Sequence, residues 1–141
     1  MLIPCVFTGA AIENRDDYMG VQKESRNYRR IFGGEDLIYF SQRVDQTDIC
    51  IGATQDLSKQ AEESIKKYRR QIEDYIRRQP VFLHSLVPVM PLPDAPLIVR
   101  HMCIAAEAVG VGPMAAVAGA VSQYVANDLI SYSSELVVEN G

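Results

Sequence analysis

Apolar and polar residues alternate from Leu37 to Val44, with Ile38, Phe40 and Val44 on one side, and alternate again at Ile49, Ile51 and Ala53 after Asp45-Gln46-Thr47-Asp48. A period of two is that of a half-buried strand, so the pattern predicts two strands joined by a tight turn. From Leu57 the period lengthens. Leu57, Ala61, Ile65, Tyr68, Ile72, Tyr75 and Ile76 recur three and four apart and form the apolar stripe of a long helix. Its other faces carry Glu62 with Lys66, Glu63 with Lys67, Glu73 with Arg77 and Asp74 with Arg78. These are acidic-first pairs four apart, each adding about 0.2–0.5 kcal/mol on an exposed helix.

Pro80 disfavours helical geometry at Gln79 and ends this helix, after which Pro88, Pro91, Pro93 and Pro96 predict a stiff, extended connection. Asp94 is placed to cap the next helix, with Pro96 in its first turn. Ile98, Met102, Ala105, Ala106 and Val109 then give a buried stripe up to Gly110. A last helix starts near Pro113 and buries Met114, Val117, Val121, Tyr124, Val125 and Leu129, while Ala115, Ala116, Gly119 and Ala120 make another face small. Glycine within a helix costs about 1 kcal/mol relative to alanine, so Gly119 marks close approach of another backbone or of a ligand. Glu135 to Glu139 reads as a short β-branched strand, and residues 11 to 36 show no sustained apolar period and are expected to be irregular.

The order of these elements gives an α+β protein, and 141 residues, 48% of them hydrophobic, suffice for one domain with its own core. The net charge of −4 is built from interspersed signs, which argues against nucleic acid and anionic membranes as partners. The apolar run from Met114 to Val121 is far shorter than the roughly 20 residues that span a bilayer. Met1-Leu2-Ile3-Pro4-Cys5 lacks the basic and apolar regions of an export signal, so a cytoplasmic location is expected. Cys5, Cys50 and Cys103 contain no C-x-x-C pair, and His84 and His101 have no ligand-spaced neighbours, so neither a disulfide framework nor a structural zinc site is expected.

The segment Gly110-Val111-Gly112-Pro113-Met114-Ala115-Ala116-Val117-Ala118-Gly119-Ala120 resembles the signature of an uncharacterised bacterial and archaeal family in the ApbE-like superfamily. Thr47-Asp48, Ile72-Glu73-Asp74-Tyr75-Ile76, Phe82-Leu83, Ser85-Leu86 and Val138-Glu139-Asn140-Gly141 fall in that family's order, so the resemblance covers most of the chain from Tyr28. It implies an antiparallel sheet with packed helices. It also implies that residues 1–141 are the N-terminal portion of one ApbE-like domain, since the family's chains run on past Asn-Gly with a further glycine and an aspartate. The expected partner is a second fragment or subunit completing the sheet, or a second copy in a homo-oligomer, because an unpaired strand edge invites pairing.

The best-known relatives in that superfamily are FAD:protein FMN transferases, so the resemblance implies FAD or FMN with magnesium. Gly110, Val111, Gly112, Pro113 and Met114 would then offer backbone N–H groups to a phosphate at a helix N-terminus, with Glu139, Asn140 and Gly141 nearby. Asp48 and Glu139, at strand ends, are the metal-ligand candidates. The alternative from the residues alone is that Gly110 closes one helix and Pro113 opens the next, with no ligand. The lysine and aspartate that follow the glycine-rich turn in the transferases are absent, since Ala116 to Val121 and then Ser122-Gln123 stand there. Three functions therefore stay open: a flavin or nucleotide binder, a non-catalytic structural or interaction module, and an enzyme acting on an unrelated small molecule.

Overall fold

The computed structural model describes residues 37–140, so the segment 11–36, Cys5 and Gly141 lie outside the described residues. Strands β1 (Ile38–Val44) and β2 (Thr47–Ala53) pair antiparallel, with Ile38 opposite Ala53 and Val44 opposite Thr47. The connecting turn is shorter than the sequence pattern suggested. Thr47 and Asp48 belong to β2, and the reversal is made by Asp45 and Gln46, with Asp45 at φ 52°, a left-handed conformation that aspartate tolerates better than most residues.

Helix α1 (Ser58–Arg78) follows and buries Ala61, Ile65, Tyr68, Ile72 and Tyr75 as the stripe predicts. Of the four acidic-first pairs expected along it, Glu62 with Lys66 forms. Lys67 instead reaches Asp128, Glu73 bonds Arg69, Arg77 bonds Asp74, and Arg78 bonds Asp94. Exposed pairs are worth so little that any geometrically better neighbour displaces them.

The proline-rich connection contains one short helix, α2 (Val81–His84), which inserts Phe82 into the core edge-on to Tyr75. The rest is held by named bonds. The Leu92 N–H donates to the Tyr75 hydroxyl (2.9 Å), Gln79 Nε2 to the Met90 carbonyl (3.1 Å), and Arg100 Nε to the Ala95 carbonyl (2.8 Å). Helix α3 (Leu97–Val109) has Pro96 at its N-cap. Asp94 is not the cap, because both its carboxylate oxygens accept from Arg78, at 2.7 and 2.6 Å. Ile98, Val99, Met102, Cys103 and Ala106 form the buried face of α3, whereas Ala105 and Val109 of the expected stripe are exposed.

A 3-10 turn (Pro113–Ala116) leads into α4 (Val117–Leu129), and the described chain closes with β3 (Leu136–Asn140), antiparallel to β2. The sheet order is β1-β2-β3, which places β2 in the centre and buries Cys50 and Gly52 as well as the alternating Ile49, Ile51 and Ala53. The fold is α+β: one antiparallel three-stranded sheet whose inner face meets the helices around Ile49, Ile51, Ile65, Ile98, Met102, Val121, Val125 and Leu129. These elements make up one unit, Ile38–Gly141. No single helix among the described residues is long and apolar enough to cross a membrane.

Candidate functional site

The glycine-rich turn is closed from within. Gly110 lies at φ 72°, its N–H donates to the Glu107 carbonyl (3.2 Å), and the Val111 N–H donates to the Ala106 carbonyl (3.0 Å). This pair of bonds is the Schellman closure of α3, which a left-handed glycine makes possible. The free N–H groups expected at Gly110 and Val111 are therefore already engaged. Gly112 has a different reason to be glycine: a Cβ there would sit 1.7 Å from the Ser85 carbonyl oxygen. Pro113 has no N–H, and it is buried.

A cleft of about 380 Å³ opens beside Met114, between α1, the start of α4 and the ends of β2 and β3. Ile72, Ile76, Met114, Val117 and Val121 give it an apolar floor, and Gln46, Thr47, Arg69, Glu73 and Asn140 give it a polar wall. Arg69 organises that wall. Its side chain is only 17% exposed, and it donates to Thr47 Oγ1 (2.8 Å), Gln46 Oε1 (3.1 Å) and Glu73 Oε1 (2.9 Å), with Asp45 Oδ2 at 3.3 Å. On the opposite rim, Asn140 Nδ2 donates to the Ala118 carbonyl (3.2 Å), one of the carbonyls in the first turn of α4. Pairing with Glu73 and Asp45 leaves the wall without excess positive charge.

At the other end of the same two helices, Asp128 of α4 ties to α1. Ser64 Oγ donates to Oδ2 (2.8 Å), the Tyr68 hydroxyl to Oδ1 (2.9 Å), and Lys67 Nζ to Oδ2 (3.1 Å). Burial pushes the Asp128 carboxyl up, but these three bonds and the Lys67 charge outweigh it and hold the group below the usual carboxylate range. Lys67 is raised, first by its bond to the Tyr68 hydroxyl and then by Asp128, while burial raises Tyr68 itself. The Tyr68 ring meets Tyr124 edge-on, and the Tyr124 hydroxyl pairs with His101 Nδ1 at 2.9 Å. With its acceptors filled from α1, Asp128 sets the spacing of the helices that form the cleft walls.

Of the residues the sequence nominated, the cleft brings together Met114 and Asn140. Glu139 alternates to the other face of the sheet, opposite Cys50, and Asp48 shares that outward face two residues along β2 from Cys50. Among the described residues no group of three or more His, Cys, Asp and Glu side chains is placed to hold a metal ion, and Asp48 and Glu139 lie on the sheet face away from the cleft. Gly141 lies outside the described residues.

Sequence reasoning missed Arg69, Glu73, Thr47 and Gln46 at the cleft and Asp128 at the clasp. A signal for two of them was present. Arg69 sits within the series Ile65, Arg69, Ile72, Ile76, and Asp128 follows Val121 and Val125, so each is a charge set into an apolar stripe. Charges rarely occupy such positions unpaired, which makes them markers of a partner across the interface.

Comparison with known proteins bears on this arrangement. A family model described as AbpE bacteria matches residues 29–141. The chain is similar to a UPF0280 protein of Methanocaldococcus jannaschii, 47% identical over 83 residues, covering 59% of this chain and 33% of that one. It is 36% identical over 99 residues to a UPF0280 protein of Methanopyrus kandleri, covering 70% and 40%, and 38% identical over 102 residues to one of Methanothrix thermoacetophila, covering 70% and 43%. The chain spans roughly a third to two fifths of the length of these curated relatives.

Proposed function

This chain belongs to the AbpE bacteria family, and on that premise we propose that it forms a wall of a binding site for a small planar molecule with polar edges, of the flavin or nucleotide kind. The observation that carries this reading is the cleft that Met114 and Asn140, two members of the one set nominated from sequence, both line beside an apolar floor. Its volume falls at the lower end of the roughly 300–1,000 Å³ of ligand pockets, and a mostly apolar lining with a few convergent polar groups is their usual chemistry.

A ring system would lie on Met114, Val117 and Ile76 and exclude water from them. The Asn140 amide and the Gln46 and Thr47 side chains would meet its carbonyl and ring-nitrogen edges, and Arg69 would face an oxygen or phosphate by exchanging a partner. Glu73 and Asp45 keep Arg69 from binding anions indiscriminately. A flavin bound there would supply redox or group-transfer capacity, and the residues described here would position it. The reading concerns binding, because among the described residues the cleft shows no nucleophile with a base oriented toward it.

Titration of FMN, FAD and AMP into the purified chain, followed by flavin fluorescence and calorimetry, tests the reading. Saturable binding that disappears when Val117→Trp fills the floor is the expected result. No binding of any of the three at about 1 mM, which corresponds to a free energy near −4 kcal/mol, would overturn it. The second reading is a structural module without a ligand, favoured by the internal closure of the Gly110 and Val111 donors. It predicts that Val117→Trp changes nothing measurable beyond a small shift in stability.

A further inference from the structure

Helix α3 is apolar on two opposite sides. Its buried side carries Ile98, Val99, Met102, Cys103 and Ala106. At 100° per residue, Leu97, Ile104 and Ala108 fall within about 40° of one another on the other side. Leu97 is 64% and Ile104 62% exposed, and Ala105 and Ala108 beside them are exposed as well. The apolar surface continues past the C-terminal end of the helix. There the Leu86 backbone packs close to Gly112, and Leu86 (87%), Val87 (63%) and Val109 (72%) are all exposed. A second apolar stripe on a helix, set here between Arg100 and Glu107 on one edge and His101 on the other, marks a contact surface.

We propose that this face docks a second copy of the chain, with the two α3 helices antiparallel about a two-fold axis beside Ile104. Charge selects this occupant. Arg100 and Glu107 lie on the same edge of the exposed stripe, seven residues apart, and neither forms an ion pair with the described residues. In an antiparallel pair of identical helices the same edges face each other. An axis between Cys103 and Ile104 therefore sets Arg100 against the partner's Glu107, and Glu107 against the partner's Arg100. The same axis brings Leu97 to the Val109 and Leu86 end of the other copy, so apolar surface meets apolar surface at both ends and at Ile104, with the exposed His101 the one polar side chain inside the stripe, at its edge away from Arg100. In a parallel pair the edge that carries Arg100 and Glu107 would instead face the partner's other edge, which carries His101 and Ala105, and neither charge would meet an opposite one.

Arg100 is already aimed, because Nε and one terminal nitrogen donate to the Ala95 and Pro93 carbonyls and leave the remaining donors of the fork outward. Ala105 and Ala108 permit an interaxial distance near the lower end of the usual ~8–10 Å. The contact is isologous and closes on itself as a dimer. A helix of 13 residues is only about 20 Å long, so the patch is smaller than the ~800 Å² per partner of standard stable interfaces and the dimer is a reversible one.

Sedimentation of the purified chain from about 1 to about 500 µM, the range of a reversible weak dimer, tests this. The mass is expected to rise from one chain to two. Ile104→Glu, or Leu97→Lys as a second exposed variant, is expected to keep the far-ultraviolet circular dichroism and Tm and to remain one chain throughout. Glu107→Arg is expected to weaken association about tenfold by turning two attractive pairs into two repulsive ones, and Arg100→Glu with Glu107→Arg to restore it. A monomer at every concentration, or a dimer unaffected by Ile104→Glu, overturns the proposal. Either result would assign the face to a different occupant, such as the part of the longer relatives that this chain does not match.

Discussion

The Gly110–Pro113 turn and the cleft beside Met114 put neighbouring residues to opposite uses. In the turn, two backbone donors close α3 and Gly112 admits the Ser85 carbonyl, so small residues serve close packing of backbone on backbone. In the cleft, ordinary-sized apolar side chains leave about 380 Å³ open, and the polar groups around it come from three different elements and the hairpin turn. In the turn the backbone itself takes up the first two donors that the glycine-rich spacing offers. A glycine frees space or donors, and the surrounding chain decides whether something else fills them first.

The largest test of this contrast is Gly112→Ala. Its Cβ would overlap the Ser85 carbonyl and backbone has to move, so a stability loss of about 3 kcal/mol or more is expected in urea unfolding. A loss under about 1 kcal/mol would mean that the turn is loose enough for a ligand after all.

Next in size is Asp128→Ala, which strands the Ser64 and Tyr68 hydroxyls and should cost about 1–3 kcal/mol. Because Asp128 sets the spacing of α1 against α4, the same variant should weaken FMN binding without touching the cleft. The pH dependence has a definite sign. The Asp128 carboxyl is held below its unfolded value near 3.9, so its contribution is fully present above that pH and is lost as pH falls through the lower folded value. The stability gap between the natural chain and Asp128→Asn should be flat from pH 7 to about 5 and narrow below about 4. A gap that narrows between pH 7 and 6 would mean that another group controls the clasp.

Gly110→Ala should cost about 1 kcal/mol, because φ 72° is strained for a residue with a Cβ although no atom lies within 4 Å of it. Gly110→Asn should cost less, and neither should alter ligand affinity if the turn is no cradle. The smallest effect on stability, under about 0.5 kcal/mol, is expected for Asn140→Ala, which removes one exposed bond to the Ala118 carbonyl. That variant should nonetheless weaken FMN binding about fivefold, as loss of one neutral hydrogen bond would. Unchanged affinity would remove Asn140 from the proposed site and leave the cleft to its apolar floor.

The sequence by itself determined the local periods: two strands from alternation, α1 from the Leu57 to Ile76 stripe, the helix end at Gln79 before Pro80, and the closing role of Gly110 as one of two readings. These rest on neighbours within four residues, where backbone geometry leaves few choices. It also placed Met114, at the glycine-rich turn, and Asn140, at the end of β3, among candidate residues.

Only the tertiary structure decided which partner each charge takes. Arg69 turned to Thr47 and Gln46, Lys67 to Asp128, and Arg78 to Asp94, residues 16 to 61 positions away. It likewise decided that the cleft face of β3 carries Asn140 rather than Glu139, and revealed α2 within a stretch that prolines had marked as extended. The physical reason is one of range. A hydrogen bond or ion pair forms where donor and acceptor meet within about 3 Å, and packing of distant segments, not spacing along the chain, sets which ones meet.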